Sequence, residues 1–298
     1  MNTTDMRIPS NRVRDIERYM HGELDAQYGV GEVSVFVGML FEAFLGWDRA
    51  HLLLHREGTI DQSDLLRFHW AVEDLRRWRP IQHIVGYTDF CGCRIRVSPD
   101  VLVPRPETEE MVSWLCARRA ESQVAILDLC TGSGCIAIAL KKAFPEASVT
   151  AVDFSPAALA LARRNAEENG TAVEFVEADV LEGLDGVNGL NGRYGLIVSN
   201  PPYVRESERA AMAANVLDYD PPMALFVPDE DPLRFYRAIG AFAAGHLAPK
   251  GLLALEINEA LAAETCALLQ SQGFSTEVHE DFRGKPRMIM ANRIQPAS

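Results

Sequence analysis

The sequence predicts an α/β fold in which a small helical bundle precedes a mostly parallel, seven-stranded sheet with an antiparallel C-terminal hairpin. Three observations predict it. Apolar residues near the N-terminus recur at helical spacing. Further on, apolar runs typical of buried strands alternate with helical segments, as in a parallel sheet. The last two predicted strands are separated only by residues 282–286, and so short a connection cannot make a parallel crossover.

Residues 1–80 are predicted to form the helical bundle. Its first predicted helices cover residues 12–27, 32–45 and 48–56. A fourth helix is expected to begin at a cap formed by Asp61 or Ser63. Its apolar residues recur at spacings of three and four: Leu65, Phe68, Val72 and Leu75. Four aromatic residues of the bundle are expected in its core: Phe36, Phe41, Phe44 and Trp70.

A linker hairpin over residues 81–105 and a main domain over residues 106–298 follow the bundle. The hairpin is indicated by a strand-like pattern at residues 94–97 and by the turn residues Cys91 and Gly92. The strands predicted for the main domain cover residues 124–129, 148–152, 173–176, 196–199, 252–257, 275–281 and 287–293. Its C-terminal helices are predicted over residues 233–247 and 260–272, and residues 249–251 are predicted as a turn.

A glycine turn connects the first strand of the main domain to a helix. The motif that contains it is Asp128, Leu129, Cys130, Thr131, Gly132, Ser133 and Gly134, and its first two residues end the predicted strand. A strand, a glycine turn and a helix in this order are typical of a nucleotide-cofactor site. Asp153 ends the next strand, about 20 residues beyond the glycines, where a carboxylate can accept hydrogen bonds from ribose hydroxyls. This pattern alone also fits a nicotinamide or flavin enzyme.

Charge favours S-adenosyl-L-methionine over a dinucleotide as the cofactor. Asp128 precedes the turn, where it would repel the pyrophosphate of a dinucleotide. S-adenosylmethionine has no phosphate there and carries an ammonium and a sulfonium group. Asp179, after the following strand, is predicted to accept from the exocyclic amine of adenine. An isolated carboxylate at such a position is more often a helix cap, but the recurrence at three successive strand ends favours the functional interpretation.

The segment Asn200-Pro201-Pro202-Tyr203 follows an apolar strand and predicts a site rich in hydrogen-bond acceptors. Proline lacks a backbone N–H, so the two prolines leave carbonyl oxygens without competing donors. The Asn200 side-chain oxygen and the Pro201 carbonyl together can accept both hydrogens of a planar NH2 group. The Tyr203 ring is expected to stack against that group. The segment therefore predicts a pocket for an amide or an aromatic amine.

Composition favours a cytoplasmic enzyme without a membrane segment, a metal or a direct nucleic-acid partner. No apolar run approaches the roughly 18 residues that a membrane helix needs, and the polar N-terminus lacks the apolar core of a signal peptide. The formal net charge is −13, whereas proteins that grip nucleic acid usually carry a basic face. The six cysteines are scattered, which predicts reduced thiols and argues against a metal site at Cys91 and Cys93.

The chain resembles the HemK-type release factor glutamine methyltransferases along its whole length. The most specific residues are Gly86-Tyr87-Thr88-Asp89-Phe90, Val97-Ser98-Pro99 and Val103-Pro104-Arg105-Pro106-Glu107-Thr108-Glu109. The last of these stretches resembles the Pro-Arg-Pro-x-Thr-Glu signature of the family. The resemblance implies a Rossmann-like class I methyltransferase fold, in which residues 1–80 recognise the substrate. It also implies methylation of the glutamine amide in the Gly-Gly-Gln loop of peptide chain release factors, with S-adenosyl-L-homocysteine as the product.

The resemblance also assigns roles to the motif residues. Cys130, Thr131, Gly132, Ser133 and Gly134 are expected to wrap the methionine part of the cofactor, Asp153 to bind ribose and Asp179 to lie by adenine. Asn200, Pro201, Pro202 and Tyr203 are expected to hold the glutamine. Two residues depart from the family pattern. Cys130 replaces a common glycine, so its backbone is expected to avoid strongly positive φ. Cys91 replaces an aromatic residue, and either change is expected to loosen cofactor binding without removing it.

Other functions compete with this interpretation. The related enzymes that methylate ribosomal protein L3 usually lack the acidic residue and the Thr-Glu pair after Arg-Pro. A DNA adenine-N6 methyltransferase shares the logic of the Asn-Pro-Pro-Tyr segment, because the adenine amine is also planar and conjugated. Such an enzyme normally needs a basic target-recognition region, which this sequence lacks. A small-molecule or ribosomal-RNA methyltransferase is disfavoured for the same reason. A non-catalytic binding protein would not need the intact turn and Asn200.

Overall fold

A computed structural model describes residues 10–117 and 125–294. These residues form two compact units. The N-terminal unit comprises the described residues up to Gly86 together with Ala214–Tyr219. The C-terminal unit comprises Tyr87–Ala213 and the described residues from Asp220 onward. Val124, which the sequence assigns to the first strand of the main domain, lies outside the described residues.

The N-terminal unit is helical, as the sequence predicts. Its first five helices are α1 (Val13–Tyr28), α2 (Val30–Leu45), α3 (Arg49–Leu54), α4 (Gln62–Arg76) and α5 (Ile81–Val85). Gly46 ends α2 in the left-handed conformation that favours glycine at this position. Helix α5 falls in the segment predicted as a linker, and its five residues are too short to show a helical period in the sequence.

The aromatic residues of the N-terminal unit differ in burial. Phe36 and Phe41 are buried, and Phe44 packs against the same core. Trp70 is 61% exposed, so the expectation that it belongs to the core is wrong. The reason is its position on α4. Trp70 lies two residues from the buried Phe68 and Val72, which is about 200° around a helix, on the face away from the core.

The C-terminal unit begins with the predicted hairpin. Strands β1 (Tyr87–Phe90) and β2 (Cys93–Arg96) pair antiparallel, and Cys91 and Gly92 form the turn between them. Both turn residues have positive φ, at 47° and 71°, which matches the twist of a tight hairpin. Helix α6 (Pro106–Ala117) follows.

A seven-stranded sheet forms the centre of the C-terminal unit. The strands of this sheet are β3 (Ala125–Leu129), β4 (Ser148–Asp153), β5 (Glu174–Glu177), β6 (Tyr194–Ser199), β9 (Leu247–Glu256), β10 (Phe274–Glu280) and β11 (Pro286–Arg293). Two further short strands, β7 (Val204–Arg205) and β8 (Phe226–Val227), pair with each other. The sheet order is β10-β11-β9-β6-β3-β4-β5. Strand β11 is antiparallel to both its neighbours and the other pairs are parallel, which confirms the predicted hairpin.

Helices cover both faces of this sheet. They are α7 (Cys135–Ala143), α8 (Pro156–Glu168), α10 (Arg234–His246) and α11 (Ala262–Ser271), while α9 (Ala214–Tyr219) belongs to the N-terminal unit. The sheet has an apolar core on each face. Ile126 of β3 belongs to one of these cores, and the next residue, Leu127, belongs to the other. Burial on both faces explains why the parallel strands appear in the sequence as continuous apolar runs.

Strand β9 starts earlier than the sequence predicts. Residues 249–251, predicted as a turn, lie within it. Leu247 pairs with Tyr194 of β6, and Leu252 pairs with Leu196, so the register between the two strands shifts at this point. The predicted turn is therefore a bulge within a longer strand.

The strand order determines where the site lies. The chain runs from β3 outward to β4 and β5, and then returns to place β6 on the other side of β3. Such a change of direction opens a crevice beyond the carboxyl ends of the central strands. The glycine turn after β3 and Asn200 after β6 therefore meet at one edge of the sheet. Among the helices of the described residues, none combines the length and the apolar character needed to span a bilayer.

Candidate active site

A cavity of about 880 Å³, counted with its open mouth, lies at the carboxyl ends of the central strands. The predicted site residues that line it are Cys130, Thr131, Gly132, Ser133, Asp153, Asp179, Asn200 and Pro202. The other predicted residues, Asp128, Gly134, Pro201 and Tyr203, are not part of the lining. The structure thus brings both sequence motifs to one cavity and uses some of their residues as support behind its wall.

Asp128 supports the glycine turn from the interior. It is 0% exposed, and its Oδ2 accepts hydrogen bonds from the Thr131 hydroxyl at 2.5 Å and from the Ala137 N–H at 3.2 Å. Burial raises the pKa of Asp128 to about 7, against the lowering effect of these two bonds. Asp128 therefore shapes the turn from the interior, whereas the carboxylates of Asp153 and Asp179 line the cavity.

The turn depends on left-handed backbone conformations. Gly132 and Gly134 have φ values of 54° and 80°. Cys130 has a φ of 59°, so the expectation that it avoids positive φ is wrong. Contacts on either side impose this conformation: the Leu129 carbonyl accepts from the Ser199 hydroxyl at 2.6 Å, and the Thr131 N–H donates to the Val152 carbonyl at 2.9 Å.

Asp153 fixes the turn and faces the cavity at the same time. Its Oδ2 accepts from the Gly132 N–H at 2.8 Å, and its Oδ1 accepts from the Ser155 N–H at 2.9 Å. Burial raises the pKa of Asp153, while these backbone donors lower it. A carboxylate has about four acceptor positions, so each oxygen can accept one more hydrogen bond. Two neighbouring hydroxyl groups, as in ribose, match that capacity.

The adjoining wall fits an adenine ring. Phe154 is 47% exposed and lines the cavity together with Val180. Asp179 also lines it; its Oδ1 accepts from the Leu181 N–H at 2.8 Å, and its Oδ2 accepts no hydrogen bond from the described residues. An apolar ring face beside a free carboxylate oxygen suits a flat base with an exocyclic amine. These residues and Asp153 fit the nucleoside of S-adenosylmethionine.

Asn200 is held by a chain of buried side chains. Its Nδ2 donates to the Thr108 hydroxyl at 3.0 Å, and that hydroxyl donates to Glu256 Oε2 at 2.6 Å. Thr108 is 2% exposed and Glu256 is 1% exposed. Burial raises the pKa of Glu256, while the hydrogen bonds from Thr108 and Tyr203 and the charge of Arg287 lower it. Asn200 Oδ1 accepts no hydrogen bond from the described residues and is left for a ligand.

The proline residues and Tyr203 occupy different positions. Pro202 contributes to the cavity wall, whereas Tyr203 does not. The Tyr203 hydroxyl donates to Glu256 Oε1 at 2.8 Å, and burial raises the pKa of Tyr203 well above its usual value. This position does not support the stacking role predicted for the Tyr203 ring. The apolar surface next to Asn200 comes from Pro202 instead.

Sequence reasoning missed the roles of Thr108, Glu256 and Arg105. Thr108 lies in the Pro-Arg-Pro-x-Thr-Glu stretch, to which no function was assigned. Glu256 ends an apolar strand, which is the same signal that identified Asp128 and Asp153. Arg105 lines the cavity and forms an ion pair with the buried Asp220. Asp220 does not end an apolar strand, so the sequence around it does not mark it as a partner of Arg105.

Cys91 lies outside the cavity wall. Its N–H donates to Glu109 Oε1 at 2.7 Å in the β1–β2 turn, and it is not part of the lining. This departure from the family pattern therefore falls away from the proposed cofactor site. All six cysteines are free thiols. Within residues 10–117 and 125–294, no three cysteine, histidine, aspartate or glutamate side chains are grouped so that they could hold a metal ion.

Family models match two parts of this chain, and curated relatives match most of it. Residues 108–219 match the family model described as methyltransferase small domain, and residues 26–86 match the PrmC N-terminal domain. The release factor glutamine methyltransferase of Flavobacterium psychrophilum is 41% identical over 266 residues, covering 88% of this chain and 92% of that protein. The protein of the same name from Bacteroides thetaiotaomicron is 40% identical over 281 residues, covering 93% of this chain and 99% of that protein.

A solved structure supports the fold alone. The methyltransferase of Pyrococcus furiosus superposes with a TM-score of 0.50 at 22% identity, covering 68% of this chain and 90% of that one. The two curated relatives, by contrast, are matched over 88–93% of this chain and over 92–99% of their own length. The chain therefore belongs to the release factor glutamine methyltransferase family and is an S-adenosylmethionine-dependent methyltransferase.

Proposed function

We propose that this protein transfers a methyl group to the side-chain amide nitrogen, N5, of the glutamine in the Gly-Gly-Gln motif of peptide chain release factors. The observation that carries the proposal is the position of Asn200, which lines the cavity with its Oδ1 unpaired while its Nδ2 is bound to Thr108. The names of the relatives support the release factor as the substrate. A cytoplasmic location follows from that substrate, because release factors act on the ribosome.

The chain's own residues would orient a weak nucleophile. An amide nitrogen reacts poorly because its lone pair is delocalised into the carbonyl. Asn200 Oδ1, which lines the cavity, would accept one N–H bond of the substrate amide. The Pro201 carbonyl accepts no hydrogen bond from the described residues, and although Pro201 does not line the cavity without ligand, it would accept the other N–H bond from a glutamine held by Asn200. Accepting both bonds fixes the NH2 group and increases the electron density on nitrogen.

The cofactor would lie between the glycine turn and Asp179. When bound, S-adenosylmethionine supplies a methyl group on a sulfonium, and it leaves as S-adenosylhomocysteine. Asp153 would accept from the ribose hydroxyls, and Asp179 from the adenine amine. No strong base is needed before the transfer, because the nitrogen can lose its proton afterwards.

Mass spectrometry of a release factor incubated with the enzyme and cofactor tests the proposal. We expect one added methyl group, located on the motif glutamine and absent when that glutamine is replaced by alanine. Ribosomal protein L3 and an adenine-containing duplex serve as competing substrates in parallel reactions. Methylation of either of them without methylation of the release factor would contradict the proposal.

We further propose that the N-terminal unit binds the body of the release factor. A lone glutamine offers few contacts, so binding energy from a remote surface would help to order the reacting group. Exposed apolar residues of this unit support such a role: Leu53, Leu54 and Trp70 are 64%, 81% and 61% exposed. Tryptophan in particular is enriched among residues that dominate binding energy at interfaces.

Single substitutions in the full chain test this second proposal. Trp70→Ala should raise KM for the whole factor roughly tenfold and leave methylation of a short Gly-Gly-Gln peptide unchanged. Trp70 lies outside the core, so the fold should be retained. An equal effect on the factor and the peptide would show that the unit does not recognise the factor through this surface.

A further inference from the structure

Thr108 and Glu256 form a directed hydrogen-bond chain that ends at Asn200. Asn200 Nδ2 donates to Thr108 Oγ1 at 3.0 Å, and Thr108 Oγ1 donates to Glu256 Oε2 at 2.6 Å. Thr108 comes from α6, Glu256 from the end of β9 and Asn200 from the loop after β6. Three elements that are distant along the chain thus converge on one side-chain amide.

The direction of this chain determines which end of the Asn200 amide faces the cavity. A threonine hydroxyl has one hydrogen to donate and two lone pairs to accept. Because the Thr108 hydrogen is used on Glu256, the hydroxyl can meet Asn200 only as an acceptor. Only the NH2 end of Asn200 can supply a donor. The oxygen is therefore turned away from Thr108, where a substrate NH2 group can reach it.

Glu256 is fixed as an acceptor by its other contacts. Its Oε1 accepts from the Tyr203 hydroxyl at 2.8 Å, so both carboxylate oxygens face donors. Burial raises the pKa of Glu256, and the hydrogen bonds from Thr108 and Tyr203 and the charge of Arg287 oppose that rise. Arg287 is itself held by Asp281 at 3.2 Å and by Glu259 at 3.1 Å. The carboxylate therefore lies in a built environment that is covered from solvent.

We propose that Glu256, acting through Thr108, is a positioning residue that keeps the Asn200 oxygen directed toward the substrate amide. The inference rests on the proposed function and deepens it. With the hydrogen bond to Glu256 removed, Thr108 can donate to Asn200 Oδ1, and the amide can turn its NH2 group toward the cavity. In that orientation the NH2 group of Asn200 faces the NH2 group of the substrate glutamine, and two donors cannot form a hydrogen bond with each other. Binding of the glutamine in its reactive pose is therefore disfavoured.

Substitutions of Thr108 provide the first test. Thr108→Val removes the hydroxyl with little change of shape and should lower kcat on a release factor about tenfold, with little change in cofactor affinity. Thr108→Ser retains the hydroxyl and should restore most of the activity. The matched control is Thr265→Val, because Thr265 is also fully buried but donates to the Leu261 carbonyl in a remote helix. Equal losses in Thr108→Val and Thr265→Val would overturn the proposal.

A double-mutant cycle tests whether Glu256 acts through Thr108. Glu256→Gln alone should lower kcat, because a glutamine amide can present a donor to Thr108 and reverse the chain. In the Thr108→Val background the same substitution should have an effect of less than about twofold, since its connection to Asn200 is already lost. If Glu256→Gln and Thr108→Val lowered kcat independently, so that their effects multiplied in the double variant, Glu256 would not act through Thr108. Full activity of Glu256→Gln alone would also overturn the proposal.

Nuclear magnetic resonance separates a failure of this inference from a failure of the proposed function. In the protein without ligand, the Asn200 side-chain amide signals can be assigned by their loss in Asn200→Ala. One of the two protons should show hydrogen-bond protection that disappears in Thr108→Val and persists in Thr108→Ser. Unchanged signals in Thr108→Val would overturn the inference even if release factors are methylated. Protected signals in an enzyme inactive on release factors would overturn only the substrate assignment.

Discussion

The glycine turn and the loop beginning at Asn200 lie on the same cavity but are stabilised in different ways. The turn is held by partners close in the chain: Asp128 and Thr131 are three residues apart, and Gly132 and Asp153 are 21 residues apart. Asn200 is held by Thr108, which is 92 residues away, and Thr108 by Glu256, which is 148 residues away. One contact to the turn comes from further along the chain, because the Leu129 carbonyl accepts from the Ser199 hydroxyl, 70 residues away. The proposed cofactor side therefore depends mostly on short-range contacts, whereas the proposed substrate side depends on long-range ones.

This difference separates two kinds of defect. Changes in the turn should affect cofactor binding or stability, because the backbone itself forms that wall. Changes around Asn200 should affect turnover, because side chains orient the reacting group there. Each prediction below is a test of that separation.

The largest expected effect is that of Asn200→Ala on turnover. The substitution removes an acceptor for the substrate amide and should lower kcat roughly 10²–10³-fold, as loss of other charge-stabilising contacts does. Affinity for the cofactor, measured by calorimetry, should change much less. Near-normal turnover in this variant would show that the loop does not position the nucleophile.

Asp153→Ala should give the opposite pattern. Hydrogen bonds to a charged acceptor contribute about 1.5–3 kcal/mol, so affinity for S-adenosylmethionine and S-adenosylhomocysteine should fall roughly 10- to 100-fold. Once the cofactor saturates the enzyme, kcat should recover most of its normal value. Calorimetry of the unaltered protein should also detect no binding of NAD. Binding of NAD in place of the methyl donor would contradict the assignment of this site.

The same distinction explains what the sequence could and could not predict. The strands, the turn and the acidic strand ends are local patterns, and the sheet topology confirms the predicted hairpin. The hydrogen bonds from Asn200 to Thr108 and from Thr108 to Glu256 depend on α6, β6 and β9 lying together, which single-sequence patterns do not specify. The wrong expectation at Cys130 has another cause. The residue type disfavours positive φ, but contacts with the neighbouring strands impose it on this backbone.

Gly134→Ala should destabilise the protein more than Gly132→Ala. Both glycines have positive φ, which costs other residues about 1–2 kcal/mol. A Cβ on Gly134 would also lie 3.0 Å from Ala162 Cβ, whereas a Cβ on Gly132 would have no atom within 4 Å. The extra crowding should lower the free energy of unfolding by roughly a further 1–2 kcal/mol, measured by denaturant titration. Equal losses would show that α8 is free to move away from the turn.

Cys130→Gly is expected to have the smallest effect. Glycine relieves the positive φ, which contributes about 1 kcal/mol to stability, but it also increases the freedom of the unfolded chain by a similar amount. These opposing contributions should leave the free energy of unfolding within about 1 kcal/mol of the unaltered protein. The backbone already has a φ of 59°, a conformation that glycine adopts readily. Cofactor affinity should therefore stay within about threefold, because the shape of the wall is retained. Parallel denaturation and calorimetry check both expectations, and a large gain in affinity would show that the cysteine side chain itself hinders the cofactor.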